Sequence, residues 1–251
     1  MRSPALASLA RGVKLLSLDA GNTIIFLDHA RVARWATSRG QVITAATLIR
    51  TEGEAKRLGE EGEMLDLEWP GRDLPGARGW GKMVATMLHR ADVPLATVAS
   101  WLPDIWSAHA RLNLWSIVPP DLVPALRAAR ARGIKVAVVS NSEGMLDELF
   151  VRLGVRDQID VLIDSGIVGV EKPDPRIFQL ALDAAGVTAD ETLHLGDSIS
   201  TDVRGARASG IRVALIDPYG HCEGRALDVL RVSGVAEVAD ALGDRWETAV
   251  S

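Results

Sequence analysis

The chain of 251 residues is 47% hydrophobic and 24% charged, enough to bury a sizeable core in one large domain or in a core domain with an insert. Its 28 basic and 33 acidic residues, a formal charge of −5, are spread along the chain without a basic stripe, so no nucleic acid is expected as a partner. The one cysteine, Cys222, excludes an intrachain disulfide and a metal site built on thiolates, and leads us to expect a cytoplasmic protein.

Arg11 and Lys14 interrupt the N-terminal stretch before it can form the apolar core of a signal peptide. No segment reaches the roughly 20 apolar residues of a membrane span, so no membrane partner is expected either. The first strand is read in "LLSLDAGNTIIFLD", an apolar run that stops on a single carboxylate, Asp19.

From about Leu27 to Leu114 the apolar residues recur at helical spacing, and five of the seven tryptophans (Trp35, Trp69, Trp80, Trp101 and Trp106) fall there. This is expected to be a helical insert with the tryptophans in its core, divided by a loop, "WPGRDLPGARGWG", from Trp69 to Gly81. Next, "PDLVPALRAARARG" reads as a helix closed by Gly133, and "IKVAVV" at 134–139 and "DVLIDS" at 160–165 as strands. A helix follows in "DPRIFQLALDAAG", with Asp174 as cap, Pro175 in the first turn and Gly186 at the end. "TLHLGD" at 192–197 and "RVALID" at 212–217 complete five strands separated by helices, the rhythm of parallel βαβ units. The expected class is α/β: a Rossmann-like parallel sheet from residues 1–26 and 115–251, with an all-helical domain over 27–114.

Open parallel sheets bind ligands at the carboxyl ends of their strands. Four of the five strands lead there into polar residues: Asp19, then "SNS" at Ser140–Ser142, then "EKPD" with Lys172, then "GDS" with Asp197. His194, inside an apolar strand, is expected to be a hydrogen-bonded core residue.

This ordered set resembles the haloacid dehalogenase-type (HAD) hydrolase superfamily over residues 15–210, in the subgroup whose helical cap follows the first motif. That family carries Asp-x-Asp-x-Thr after its first strand, Ser or Thr after its second, then Lys, then an acidic Gly-Asp motif. The matching positions are Asp19 and Thr23, Ser140 and Asn141, Lys172, and Asp197 with Asp202. The resemblance implies a Mg²⁺-dependent phosphatase for a small phosphorylated metabolite. Asp19 would attack phosphorus and carry the group as an aspartyl phosphate. Asp19, Asp197 and the Gly21 carbonyl would hold Mg²⁺. Lys172 would neutralise phosphate and nucleophile, while Ser140 and backbone N–H groups near Asn141, at an expected helix start, would hold the remaining oxygens. Asp202 either supports the metal from outside or stabilises a helix N-terminus.

One position departs from the pattern. The family's phosphatases place a second acid two residues after the nucleophile to protonate the leaving alkoxide, and this chain has Gly21. The cap could substitute, with Asp28, His29 or His109 as candidates; alternatively the leaving group needs no proton, or the site is a non-catalytic phosphate-ligand binder. Relatives that expel halide have Tyr at the second position and lack the Gly-Asp motif. Relatives that cleave C–P bonds have Ala there and a cap lysine that forms a Schiff base; the cap lysines here are Lys56 and Lys82, and nothing in the sequence marks either as desolvated. A tryptophan-rich cap could cover the site or meet a second copy, which leaves a homodimer open.

Overall fold

In the computed structural model, which describes residues 3–226 and 228–242, each of the five apolar runs forms a strand. Residues 1, 2, 227 and 243–251 of the expected core lie outside the described residues. The first part of the chain runs α1 (Pro4–Ala10), β1 (Leu15–Leu18), β2 (Phe26–Leu27), α2 (His29–Thr37), α3 (Ala45–Glu61), α4 (Ala77–Arg90), α5 (Leu95–Arg111) and β3 (Trp115–Ile117). The second part runs α6 (Leu122–Ala131), β4 (Lys135–Ser140), α7 (Leu146–Arg152), β5 (Val161–Asp164), α8 (Ser165–Val168), α9 (Pro175–Ala185), β6 (Thr192–Gly196), α10 (Arg204–Ala208), β7 (Arg212–Ile216), β8 (Leu230–Val232) and α11 (Val235–Ala241).

Among the described residues the main sheet has six strands, in the order β5-β4-β1-β6-β7-β8, and every neighbouring pair is parallel. The alternation of side chains along β1 explains why both faces must be covered. Leu16 and Leu18 pack with Val136 and Val138 under α1, α6, α7 and α11, whereas Leu15 packs with Ala137 and Val139 under α9 and α10. The sixth strand corrects the expected five. It is an edge strand of three residues, two half-buried and Val232 buried, and so short a run shows no readable period.

The helices α2 to α5 lie between β2 and β3, which pair antiparallel with Phe26 opposite Ile117 and Leu27 opposite Trp115. They enclose an apolar cluster of their own, containing Leu48, Trp69, Trp80, Val84, Leu88, Trp101 and Leu102. Trp35 and Trp106, half-buried, pack against that cluster. The stretch read as a loop to Gly81 is a loop only to Gly76, because α4 begins at Ala77. Glycine serves packing there: a Cβ on Gly81 would lie 2.8 Å from Trp69 Nε1, so the missing side chain makes room for the indole. No helix of the described residues is long and apolar enough to cross a membrane.

Candidate active site at the carboxyl edge of the sheet

The central strand β1 delivers Asp19 to the carboxyl edge, where its N–H donates to Leu195 O at 2.8 Å. A tight loop follows, with the N–H groups of Ile24 and Ile25 both 3.0 Å from Ala20 O and Asn22 in the left-handed region at φ 58°, a conformation that Asn tolerates better than most residues. Asp19 is thereby fixed against the end of β6, beside Asp197.

Lys172 enters from the loop before α9. Its Nζ lies 2.5 Å from Asp19 Oδ1 and 2.7 Å from Asp202 Oδ1, with the side chain 2% exposed. Burial works against the charged amine, but the Asp19 and Asp202 carboxylates outweigh it, so the pKa of Lys172 is raised and the group stays protonated. Asp202 is likewise buried, yet Lys172 and His194 hold its carboxyl well below the usual range. Its Oδ1 lies 3.1 Å from His194 Nε2, and its Oδ2 accepts the Ser198 N–H at 3.0 Å. His194, fully buried as expected, is anchored on its other side by Ser17 Oγ at 2.9 Å. This arrangement needs glycine at position 196, because a Cβ there would overlap the Asp202 carboxylate.

Asp197, at the end of β6, meets an unexpected partner. Lys56, from helix α3, forms an ion pair with its Oδ2. The side chain of Lys56 is only 10% exposed, a desolvation that nothing in the sequence marks. Burial opposes its charge, but Asp197, Glu52 and Asp19 more than compensate, and its pKa is raised. The stripe Glu52, Lys56, Glu60 recurs every four residues on one face of α3. Glu52 is fully buried, 2.6 Å from His29 Nε2, and accepts from the Tyr219 hydroxyl at 2.9 Å. Glu60 accepts from Ser198 Oγ at 2.6 Å and from the N–H groups of Ile199 and Ser200, each at 2.9 Å. The stripe is invisible as a site in the sequence, since alternating acids and bases at this spacing also describe a solvated helix face.

The carboxylate oxygens of Asp19, Asp197 and Asp202 approach within 4.8 Å of one another. Burial pushes the Asp197 carboxyl up to about 7; Lys56 opposes this, and the neighbouring Asp19 and Asp202 charges reinforce it. Three buried carboxylates thus face two ammonium groups, a local excess of negative charge made of hard oxygen donors. That donor set fits a divalent cation such as Mg²⁺.

Asp19, Gly21, Ser140, Asn141, Lys172, Asp197 and Asp202 all line one cavity of about 850 Å³. Trp80, Met83, Arg72 and Lys82 of the helical segment and Trp115 of β3 complete its wall. Thr23 does not line it; the residue is 3% exposed and its hydroxyl has no partner. Asn141 ties two loops together, donating from Nδ2 to Lys172 O at 2.9 Å and accepting the Lys172 N–H at 2.7 Å. The expected helix start near Asn141 is corrected, since α7 begins at Leu146. The intervening loop is held by Asp164, which accepts the N–H groups of Gly144 at 2.9 Å and Leu146 at 3.2 Å.

At Gly21 a Cβ would meet Trp115 Cδ1 at 3.8 Å and Nε1 at 3.9 Å, so the indole borders the place of the missing acid. Among the suggested substitutes, Asp28 caps α2 by accepting the Arg31 N–H at 2.8 Å, His29 pairs with Glu52, and His109 is enclosed among tryptophans; none of them lines the cavity.

A doubly covered parallel sheet with acids and a lysine gathered at its carboxyl edge defines a Rossmann-like α/β protein with its site at the strand ends. The chain belongs to the haloacid dehalogenase-like hydrolase family, whose sequence model matches residues 13–210. It is 30% identical over 208 residues to the haloacid dehalogenase-like hydrolase domain-containing protein 3 of Bos taurus, covering 81% of this chain and 82% of that protein. It is 29% identical over 189 residues to a phosphoglycolate phosphatase of Pseudomonas putida, covering 71% of this chain and 69% of the relative. In fold it is similar to the HAD-hydrolase YfnB of Bacillus subtilis, with a TM-score of 0.64 at 15% identity over 92% of this chain and 99% of that one.

Proposed function

We propose that this protein is a Mg²⁺-dependent phosphatase of a small phosphorylated metabolite, acting through an aspartyl phosphate on Asp19. The observation that carries this reading is the buried Lys172 ammonium joining Asp19 to Asp202 inside a cluster of three carboxylates. Lys172 occupies Asp19 Oδ1, which leaves Oδ2 for attack on phosphorus. The developing negative charge falls beside an ammonium that is already in place, so little reorganisation is needed during the reaction. Ser140 and Asn141, on the same rim, would hold phosphoryl oxygens. Asp19, Asp197 and the Gly21 carbonyl would hold Mg²⁺, with Asp202 steadying Lys172. The ion, when bound, supplies charge neutralisation of the phosphoryl group. Helices α2 to α5, within residues 27–114, would act as the cap whose walls select the substrate. Phosphatases among the relatives, such as that of Pseudomonas putida, support the reaction class.

The buried position of Lys56 in the cavity that Gly21 also lines favours a second reading, C–P cleavage through a lysine Schiff base. Its charge argues against it. An amine whose pKa is raised by carboxylates is a poor nucleophile toward a carbonyl.

A Mg²⁺-supplemented screen of phosphate monoesters, with 2-haloacids and phosphonoacetaldehyde alongside, tests both. Turnover of phosphate esters is expected, and Asp19→Asn should abolish it with the circular dichroism of the folded protein preserved. Retained turnover in that variant rejects Asp19 as nucleophile; activity confined to phosphonoacetaldehyde, with borohydride trapping at Lys56, selects the second reading.

A further inference from the structure

A phosphatase of this kind needs a proton for its leaving oxygen, and Gly21 supplies none. The cavity does contain a carboxylic acid that the family motifs leave unused. Glu143, on the loop after β4, lines the cavity with Asp19, Lys172 and Trp115, and its side chain is 13% exposed.

Its surroundings are built. The loop is pinned on both sides: Ser142 N–H donates to Ser165 Oγ at 3.0 Å, and Gly144 N–H donates to Asp164 Oδ1 at 2.9 Å. Glu143 therefore sits on a fixed backbone. From the helical side Gly76 closes over it, at φ 69°, where a Cβ would lie 2.9 Å from Glu143 Cγ and 2.9 Å from Ser142 O. Only glycine permits so close an approach.

The Glu143 side chain also has an orienting partner. His109 Nε2 lies 3.6 Å from Glu143 Oε2 and makes no hydrogen bond, although the His109 side chain is fully buried. The tautomer follows from the other nitrogen. His109 Nδ1 accepts the Leu114 N–H at 3.2 Å, so the ring proton resides on Nε2 and faces the glutamate. At 3.6 Å the pair is too long for a hydrogen bond, a looseness common in active sites without substrate. The rings of Trp80, Trp106 and Trp115 surround the imidazole at centroid distances of 5.3, 5.5 and 6.3 Å, which keeps water from satisfying it. Trp115 is the same indole that borders Gly21.

We propose that Glu143 is the general acid and base of this enzyme, taking the place of the acid missing at Gly21, with His109 as its positioning residue. The inference rests on the phosphatase reading. In the first step Asp19 Oδ2 attacks phosphorus, the bond from phosphorus to the leaving oxygen breaks, and that oxygen takes a proton from the Glu143 carboxyl group. In the second step water attacks the same phosphorus, Glu143 takes a proton from the water, and the Asp19 carboxylate leaves with the phosphorus–carboxylate bond broken. Inorganic phosphate is released and Glu143 has regained the proton it gave.

The test is single-turnover phosphorylation, with Mg²⁺, by an aryl ester (4-nitrophenyl phosphate) and an alkyl ester from the initial screen. An aryloxide leaves without a proton and an alkoxide does not. Glu143→Gln should slow the alkyl ester by about 10² to 10⁴-fold, the usual worth of general acid catalysis, and raise the aryl-to-alkyl ratio at least tenfold. His109→Phe, which keeps a ring among the tryptophans, should move the ratio the same way through the rate constant rather than through KM. The double variant Gly21→Asp with Glu143→Gln offers an acid at position 21 instead and should recover alkyl cleavage at least tenfold. An unchanged ratio in Glu143→Gln overturns the proposal, and so does a lack of recovery in the double variant, which would assign the loss to packing. A wild-type protein that cleaves neither ester overturns the phosphatase reading and this one with it.

Discussion

Lys56 of helix α3 is ion-paired with Asp197 at the end of strand β6, so one charge of the helical segment rests on the carboxyl edge of the sheet. The contact locks the two parts together and offsets one of three clustered carboxylates. Removing one partner of a buried pair leaves the other uncompensated, at a cost of about 3–5 kcal/mol.

Lys56→Met should therefore melt lower than wild type in EDTA, and millimolar Mg²⁺ should recover more stability in the variant than in wild type. Both follow from Asp197, whose carboxyl is already pushed up to about 7 by burial and neighbouring charge. Thermal melts with and without Mg²⁺ decide it, and identical melting of the two proteins in EDTA would show that the pair contributes nothing.

Glycines 21 and 196 flank the same carboxylates and should respond oppositely to alanine. At Gly21 the added Cβ makes ordinary contact with Trp115 at 3.8 Å, and φ is not in the left-handed region. Gly21→Ala should change stability by no more than about 1 kcal/mol, with a gain expected from the reduced freedom of the unfolded chain. Gly196→Ala drives a methyl into the Asp202 carboxylate, which holds Lys172 and His194. It should cost about 2–3 kcal/mol as the buried polar network opens, and turnover should fall with it. Urea denaturation of the pair checks the contrast.

Much of this was legible because it depends on local pattern. The five longer strands are apolar runs bounded by turn residues, and α9 carries its own signals in Asp174, Pro175 and Gly186, the last at φ 66°. Asp19, Ser140, Asn141, Lys172 and Asp197 were readable because strand ends in a parallel sheet converge on one edge, and Asp202 through the resemblance alone. The partners that arrive from elsewhere were not. Whether Lys56 faces solvent or Asp197 depends on how α3 docks, and the hydrophobic period of α3 does not encode that. Glu143 and His109 are 34 residues apart in sequence and meet only because Gly76 lets the helical segment close over the loop after β4. Strand β8 was missed for a different reason: Leu230–Val232 is too short to show alternation and is recruited by pairing with β7.

Glu60 should be the main clasp between helix α3 and the loop after β6. Its two oxygens accept three hydrogen bonds, from the Ser198 hydroxyl and the Ile199 and Ser200 N–H groups. Hydrogen bonds to a charged group contribute about 1.5–3 kcal/mol each. Glu60→Ala should loosen the helical segment before it unfolds the sheet, seen as faster amide exchange at residues 198–200 and along α3, with β1 and β4 still protected. Uniform protection in the variant would mean that Lys56 and Glu52 suffice.

Cys222 should be silent in the native protein. Burial, with the Asp217 carboxylate adding to it, pushes its thiol up to about 12, and the side chain is fully enclosed. An ordinary cysteine, with a pKa of about 8.5, is roughly a quarter thiolate at pH 8, whereas this one is about 10⁻⁴ thiolate. Iodoacetamide at pH 8 should leave it unmodified until urea opens the fold, and prompt alkylation without denaturant would refute the assignment. The same shift sets a pH dependence. A raised thiol pKa favours the neutral form in the folded state, so its contribution to stability is complete below about 8.5 and is lost as pH climbs toward 12. Stability differences between wild type and Cys222→Ala isolate that contribution from every other titrating group. The wild-type advantage should shrink between pH 8.5 and 11 with a slope approaching 1.36 kcal/mol per pH unit, and a difference that stays flat across that range would show that the thiol ionises freely in the native state.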